Sequence, residues 1–152
     1  MQGTKTIGFC WILIISSGLR AQEYDPGIRL ARQLDSLAKT TTVSRHFASL
    51  YLETTLIAIK FFNNAPAGEK QFIEKLEQHF AGYFFNAVTA AEKDRSPVWQ
   101  TYFRDSTLSP LQYQLLGINA HINGDIWQAL TSAFSLSELK QFKKSYNRFQ
   151  SG

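Results

Sequence analysis

Gly117-Ile118-Asn119-Ala120-His121-Ile122-Asn123-Gly124-Asp125-Ile126-Trp127-Gln128 sets polar side chains into a segment that otherwise reads as buried helix. Upstream, Ser109 is placed to cap that helix. Pro110 suits its first position, where a missing N–H costs nothing. Leu111, Leu115, Ile118, Ile122, Ile126, Ala129 and Ala133 recur at steps of three and four, which defines one apolar stripe. Gln114, His121, Asp125 and Ser132 flank it on one side. Leu116, Asn119, Asn123, Trp127, Leu130 and Phe134 flank it on the other. A helix near 110–134 that is apolar on more than one side is expected to be the buried central helix of its domain.

His121 and Asp125 are four apart and so project from one helix face. That spacing suits joint ligation of a divalent metal, or a carboxylate that orients an imidazole for acid–base work. Gly117 and Gly124 each cost about 1 kcal/mol relative to Ala inside a helix. Close approach of another backbone, or room for a ligand beside His121, would offset that. Asn119 and Asn123 add amides that need partners if buried. Two readings stay open. In the first, His121, Asp125, Asn119 and Asn123 are catalytic. His121 and Asp125, with His79 as third ligand, then hold Zn²⁺ or another divalent ion that activates water. In the second, the same residues form a structural polar network in a non-catalytic module of the cell envelope. A third use is an apolar ligand held between aromatic-rich helices.

The rest of the chain narrows these choices. It is one domain long, and 44% hydrophobic residues, with twelve Phe, are enough for a packed core. The net charge of +4 is small and its basic residues are scattered, which excludes the clustered basic face of a nucleic-acid binder. Lys5, the apolar run Ile7–Ile15 and the small residues up to Ala21 read as a secretory leader over 1–21, ahead of one helical domain over 22–152. A periplasmic or secreted protein is expected, with no membrane span in the mature chain. Cys10, the one cysteine, falls inside the leader, so the mature chain has no disulfide and no thiol nucleophile. Its substrate is read as a small or lipid-like molecule.

The remaining segments carry helical spacing throughout. Asp25-Pro26 opens a helix through Ile28, Leu34 and Ala38 that frays at Thr40–Thr42. Ser44 is expected to cap a second helix that buries Phe47, Leu50, Tyr51, Thr54, Ala58 and Phe61. Asn63–Gly68 reads as a loop. A third helix, from about Glu69 to Lys93, carries Phe72, Ile73, Leu76, Phe80, Tyr83 and Phe84. His79 lies at the edge of that face. His46 reads as a surface residue with Glu53 along its side. Ser96-Pro97 starts a short aromatic helix containing Trp99 and Tyr102. Trp99 and Trp127 are expected in the core, and Tyr51, Tyr102 and Tyr113 are candidates to line a pocket. Ser135 and Glu138 form a capping box for a last helix through Leu139, Phe142, Tyr146 and Phe149. No alternating strand pattern occurs. The fold class is all-α, about six helices in one domain.

Gly117-Ile118-Asn119-Ala120-His121-Ile122-Asn123-Gly124-Asp125 resembles the hallmark of an uncharacterised bacterial family with a Gly-x-Asn-Ala-His-Ile-Asn-x-Asp motif. Phe47–Leu52 and the segment around Trp99 fit the same likeness. It implies a helical domain of unknown function whose members continue past the final helix, so that a truncated C-terminus is implied here. A shorter likeness is to the helical zinc-dependent phospholipases C and single-strand nucleases, with their His-x-x-Gly-Asp-x-x-Gln-Pro-Leu-His segment. His121, Gly124, Asp125, Gln128 and Leu130 match it. Ala129 replaces the Pro, and Thr131 stands where a ligand His would be. It implies zinc bound by His121 and Asp125 and phosphoester or lipid-like substrates. The missing histidines rule out that family's trinuclear cluster.

Overall fold

The computed structural model describes residues 25–104 and 107–151, and all of their regular structure is helical. The expected leader and Cys10 lie outside the described residues. Helix α1 (Asp25–Ala38) buries Leu30 and Leu34 and lies along α2 (Ser44–Asn64). Between them the Thr40, Thr42 and Ser44 hydroxyls form a chain of hydrogen bonds, 2.8 and 2.7 Å long. Thr40 also returns its hydroxyl to the Leu37 carbonyl at 2.8 Å, which closes the end of α1. Ser44 does not cap α2. Val43 holds that position with no side-chain bond, and Ser44 is buried as the first helical residue.

The loop expected over Asn63–Gly68 shrinks to Ala65 and Pro66. Helix α3 (Ala67–Thr89) begins at once, because extended Pro66 suits the residue before a helix. A 3₁₀ turn (Glu92–Asp94) leads to α4 (Pro97–Arg104). Ser109 then caps α5 (Pro110–Ile118) in a capping box with Gln112. The next seven residues, Asn119–Asp125, are π-helical, and α6 (Ile126–Ala133) continues in the same direction without a break. Extended Phe134 ends this rod, and α7 (Leu136–Ser151) returns across α3. The expected box at its start is present, Ser135 N–H and Oγ–H both donating to Glu138 at 2.8 Å.

The 110–133 rod is central, but its buried face is not the large apolar stripe. Leu111 is 63% and Trp127 67% exposed, and Leu115 is exposed as well. Tyr113, Gly117, Ala120, His121 and Asp125 face inward instead. Small residues win that face because neighbours press against it. A Cβ on Gly117 would overlap the Phe47 ring, and one on Gly124 would sit 2.7 Å from Val98 Cγ2. The close approach is thus by side chains of α2 and α4. The π turn supplies the rest of the explanation. Ile126 N–H bonds to the His121 carbonyl, an i→i−5 closure. That extra residue rotates the face, so a stripe read at constant α pitch matches Ala129 and Ala133 but not Leu111 and Leu115.

The interior falls into two clusters. One joins α1, α2, the second half of α3, α4 and α5 around Phe47, Phe84, Trp99 and Tyr102. The other joins α2's end, α3's first half and α6 around Phe62, Phe72, Leu76 and Phe134. The π segment reaches the seam between them. Among the described residues, no helix is long and apolar enough to cross a membrane.

Candidate functional site

At that seam His121 and Asp125 are 2% and 1% exposed. His121 Nδ1 lies 2.9 Å from Asp125 Oδ2. The same oxygen accepts the indole N–H of Trp99 at 2.9 Å. A carboxylate that accepts at Nδ1 holds the proton there and leaves Nε2 with its lone pair free. Trp99 was expected only as a core aromatic. It is in the core, but its N–H makes it the third member of this network. The signal was available, since a buried indole must find an acceptor.

Rings enclose the imidazole. Phe80 stacks on it, 3.5 Å between centroids and 9° between planes. Tyr51 lies at 4.8 Å, and Phe47, Phe84 and Trp99 complete the shell. Burial pulls the His121 pKa down and outweighs the Asp125 hydrogen bond and charge, which raise it. The ring is therefore neutral near pH 7.

His121 Nε2 is buried and, among the described residues, has no hydrogen-bond partner. His121 lines a cavity of about 360 Å³ between α2, α3 and the π segment. Two more partnerless buried atoms belong to residues of the same wall, Thr55 Oγ1 and Glu77 Oε2. The remaining lining is mostly aliphatic and aromatic, including Leu50, Phe80 and Ile126. Ile118 and Ile122 also line it and are exposed, so they stand at its open side. Burial pushes the Glu77 carboxyl up to about 7. Neither Glu77 nor Thr55 stood out in the sequence reading. Glu77 was legible, being four residues from both Ile73 and Ala81 on the apolar face of α3. Thr55 was missed because the buried face of α2 drifts by one residue, from Thr54 to Thr55 and from Phe61 to Phe62.

The other expected site residues lie elsewhere. Asn119 and Asn123 are exposed and bonded to each other, Nδ2 to Oδ1 at 2.9 Å, on the outer side of the π segment. His79 is exposed on α3, with Nδ1 3.2 Å from Ser132 Oγ, where it ties α3 to α6. His46 stacks on Tyr113 at 5.2 Å. Tyr51 lines the cavity, whereas Tyr102 and Tyr113 are core residues, and Tyr102 donates its hydroxyl to the Val43 carbonyl. The ligand set of His121, Asp125 and His79 is not assembled, and among the described residues no three His, Cys, Asp or Glu side chains group as metal ligands. The donor set does not fit a metal either. The imidazole and the carboxylate bond each other rather than converging on one point, and the cavity that His121 lines is mostly apolar.

Fold and site together define an all-helical domain with a buried Trp–Asp–His chain that ends at a mostly apolar cavity. The chain belongs to the family of unknown function DUF5995, whose sequence profile matches residues 28–151. No curated protein and no solved structure matches it.

Proposed function

We propose that this domain binds a small, largely apolar molecule in the cavity beside the π segment, with His121 Nε2 as its polar anchor. The observation that carries this is the partnerless, buried Nε2 of a residue on that wall. A buried acceptor without a partner costs free energy, about 1–3 kcal/mol, and a bound hydrogen-bond donor recovers it. The π segment supports the reading, since such turns concentrate at functional sites despite their poorer geometry. The size suits it too. At the roughly 30 Å³ that a water occupies in liquid, the cavity holds about a dozen non-hydrogen atoms. The N-terminal leader pattern supports export to the cell envelope, where lipid-like molecules are at hand.

The test is a titration with octanol, followed by tryptophan fluorescence and calorimetry. Saturable binding is expected, and it is lost in Thr54→Trp, which places a ring at the cavity's exposed edge. Binding unchanged in that variant would place the molecule elsewhere and end this reading.

A second reading, hydrolysis, is favoured by the Asp125–His121 bond, because a carboxylate at Nδ1 prepares Nε2 to accept a proton. It is proposed here without a metal. Its substrate would be an ester of the same apolar class, and cleavage of short-chain esters that vanishes in His121→Gln would establish it.

A further inference from the structure

Glu77 is the feature that the anchor leaves unexplained. It is 9% exposed, its Oε2 has no partner, and it lines the same cavity as His121 Nε2 and Thr55 Oγ1. Three partnerless polar atoms thus come from residues on three elements, α3, the π segment and α2, around one otherwise apolar space. Among the described residues, no Lys or Arg belongs to that lining. An anion entering it would lose its water and gain no counter-charge.

We propose, resting on the cavity reading above, that Glu77 is a second polar contact for the bound molecule and that this molecule is an uncharged, hydroxyl-bearing amphiphile rather than a carboxylate or a phosphoester. A hydroxyl has the chemistry for both partners. It donates its hydrogen to His121 Nε2 and accepts from the protonated carboxyl of Glu77. Phosphoester substrates, implied by the likeness to zinc phospholipases, do not suit a wall without cations.

The charged and titratable groups around Glu77 come from three other elements. From the π segment, His121 is held neutral by burial, and Asp125 is occupied by Trp99 and His121. From α2, Tyr51 presents a phenol. From α1, Arg29 lines a second cavity, of about 300 Å³, whose wall Glu77 shares. With the carboxyl near 7, ionisation above neutral pH replaces a donor by a charge in the wall and expels a neutral ligand.

Calorimetry with octanol, octanoate and octylamine tests this at about pH 6 and about pH 8, on either side of the Glu77 value of about 7. The proteins are wild type, Glu77→Gln and Thr54→Trp. Octanol is expected to bind wild type at the lower pH and to weaken by roughly tenfold at the higher. In Glu77→Gln, which keeps a donor at every pH, that weakening disappears. Octanoate is weaker than octanol throughout. Equal octanol affinity at both pH values, or tighter binding of octanoate or octylamine, overturns the Glu77 assignment and leaves the cavity reading standing. Octanol binding that survives Thr54→Trp overturns both, and so does the absence of binding by all three probes.

Discussion

Asp125 Oδ2 stands 2.9 Å from His121 Nδ1 and 2.9 Å from Trp99 Nε1, so one buried oxygen serves two donors from different parts of the chain. Trp99 lies on α4 and His121 in the π segment, and the carboxylate locks the two together. Removing it strands both donors in a buried interior. Asp125→Ala is expected to destabilise the fold by about 3–5 kcal/mol. Trp99→Phe, which leaves the His121 bond intact, costs about 1–2 kcal/mol. Urea unfolding of both variants measures the difference, and equal losses would show that the shared oxygen does not couple them.

One glycine of the rod and one of α3 make a separate prediction. Gly117→Ala drives a methyl into the Phe47 ring and is expected to cost about 1–3 kcal/mol. Gly82→Ala, inside α3 with nothing within 4 Å of the added carbon, is expected to stabilise by about 1 kcal/mol. Melting temperatures that move in opposite directions check both. A stable Gly117→Ala protein would mean that α2 does not press on α5 as described.

Stability should depend on pH through two opposed groups. The folded state holds Glu77's proton up to about 7, while the unfolded chain releases it near 4.5. Stability from this group therefore falls as pH rises from 4.5 to 7 and stays low above that range. His121 is depressed from 6.5, so the unfolded chain binds a proton first and stability falls as pH drops below 6.5. In wild type the two slopes oppose each other just below 6.5. Glu77→Gln is expected to be more stable than wild type at alkaline pH, by an amount on the order of 3 kcal/mol. It should also lose stability more steeply on acidification. Chemical denaturation across that range reads this, and parallel curves for the two proteins would remove Glu77 from the account.

Because His79 stands apart from His121 and Asp125, neither added zinc nor a chelator is expected to shift the melting temperature. A rise with zinc that is abolished in His121→Ala would bring back the metal reading.

Much of the fold could be read directly. The cap at Ser109, the capping box at Ser135, the Pro97 and Pro110 starts and the helical spacing around Leu34, Phe72 and Phe84 each rest on local chemistry. Local chemistry also placed His121 and Asp125 on one face. The choice of buried face was out of reach, because no local rule announces a π turn, and one inserted residue separates Leu111 from the interior. The expected metal ligands failed for a tertiary reason. Whether His79 meets His121 depends on how α3 rolls against the rod, and it rolls so that Phe80 covers the imidazole. Glu77 shows the remaining gap, since a carboxylate on an apolar stripe reads as an ordinary salt-bridge partner until its cavity is seen.

Nuclear magnetic resonance of protein carrying nitrogen-15 in its histidines reads the proposed anchor atom itself. In the free protein, the His121 ring is expected to be neutral and protonated at Nδ1, with an unbonded Nε2. Addition of octanol should move the Nε2 resonance upfield, as an accepted hydrogen bond does, and leave His46 and His79 in place. An Nε2 resonance that stays fixed while octanol saturates the protein would show that His121 is not the anchor.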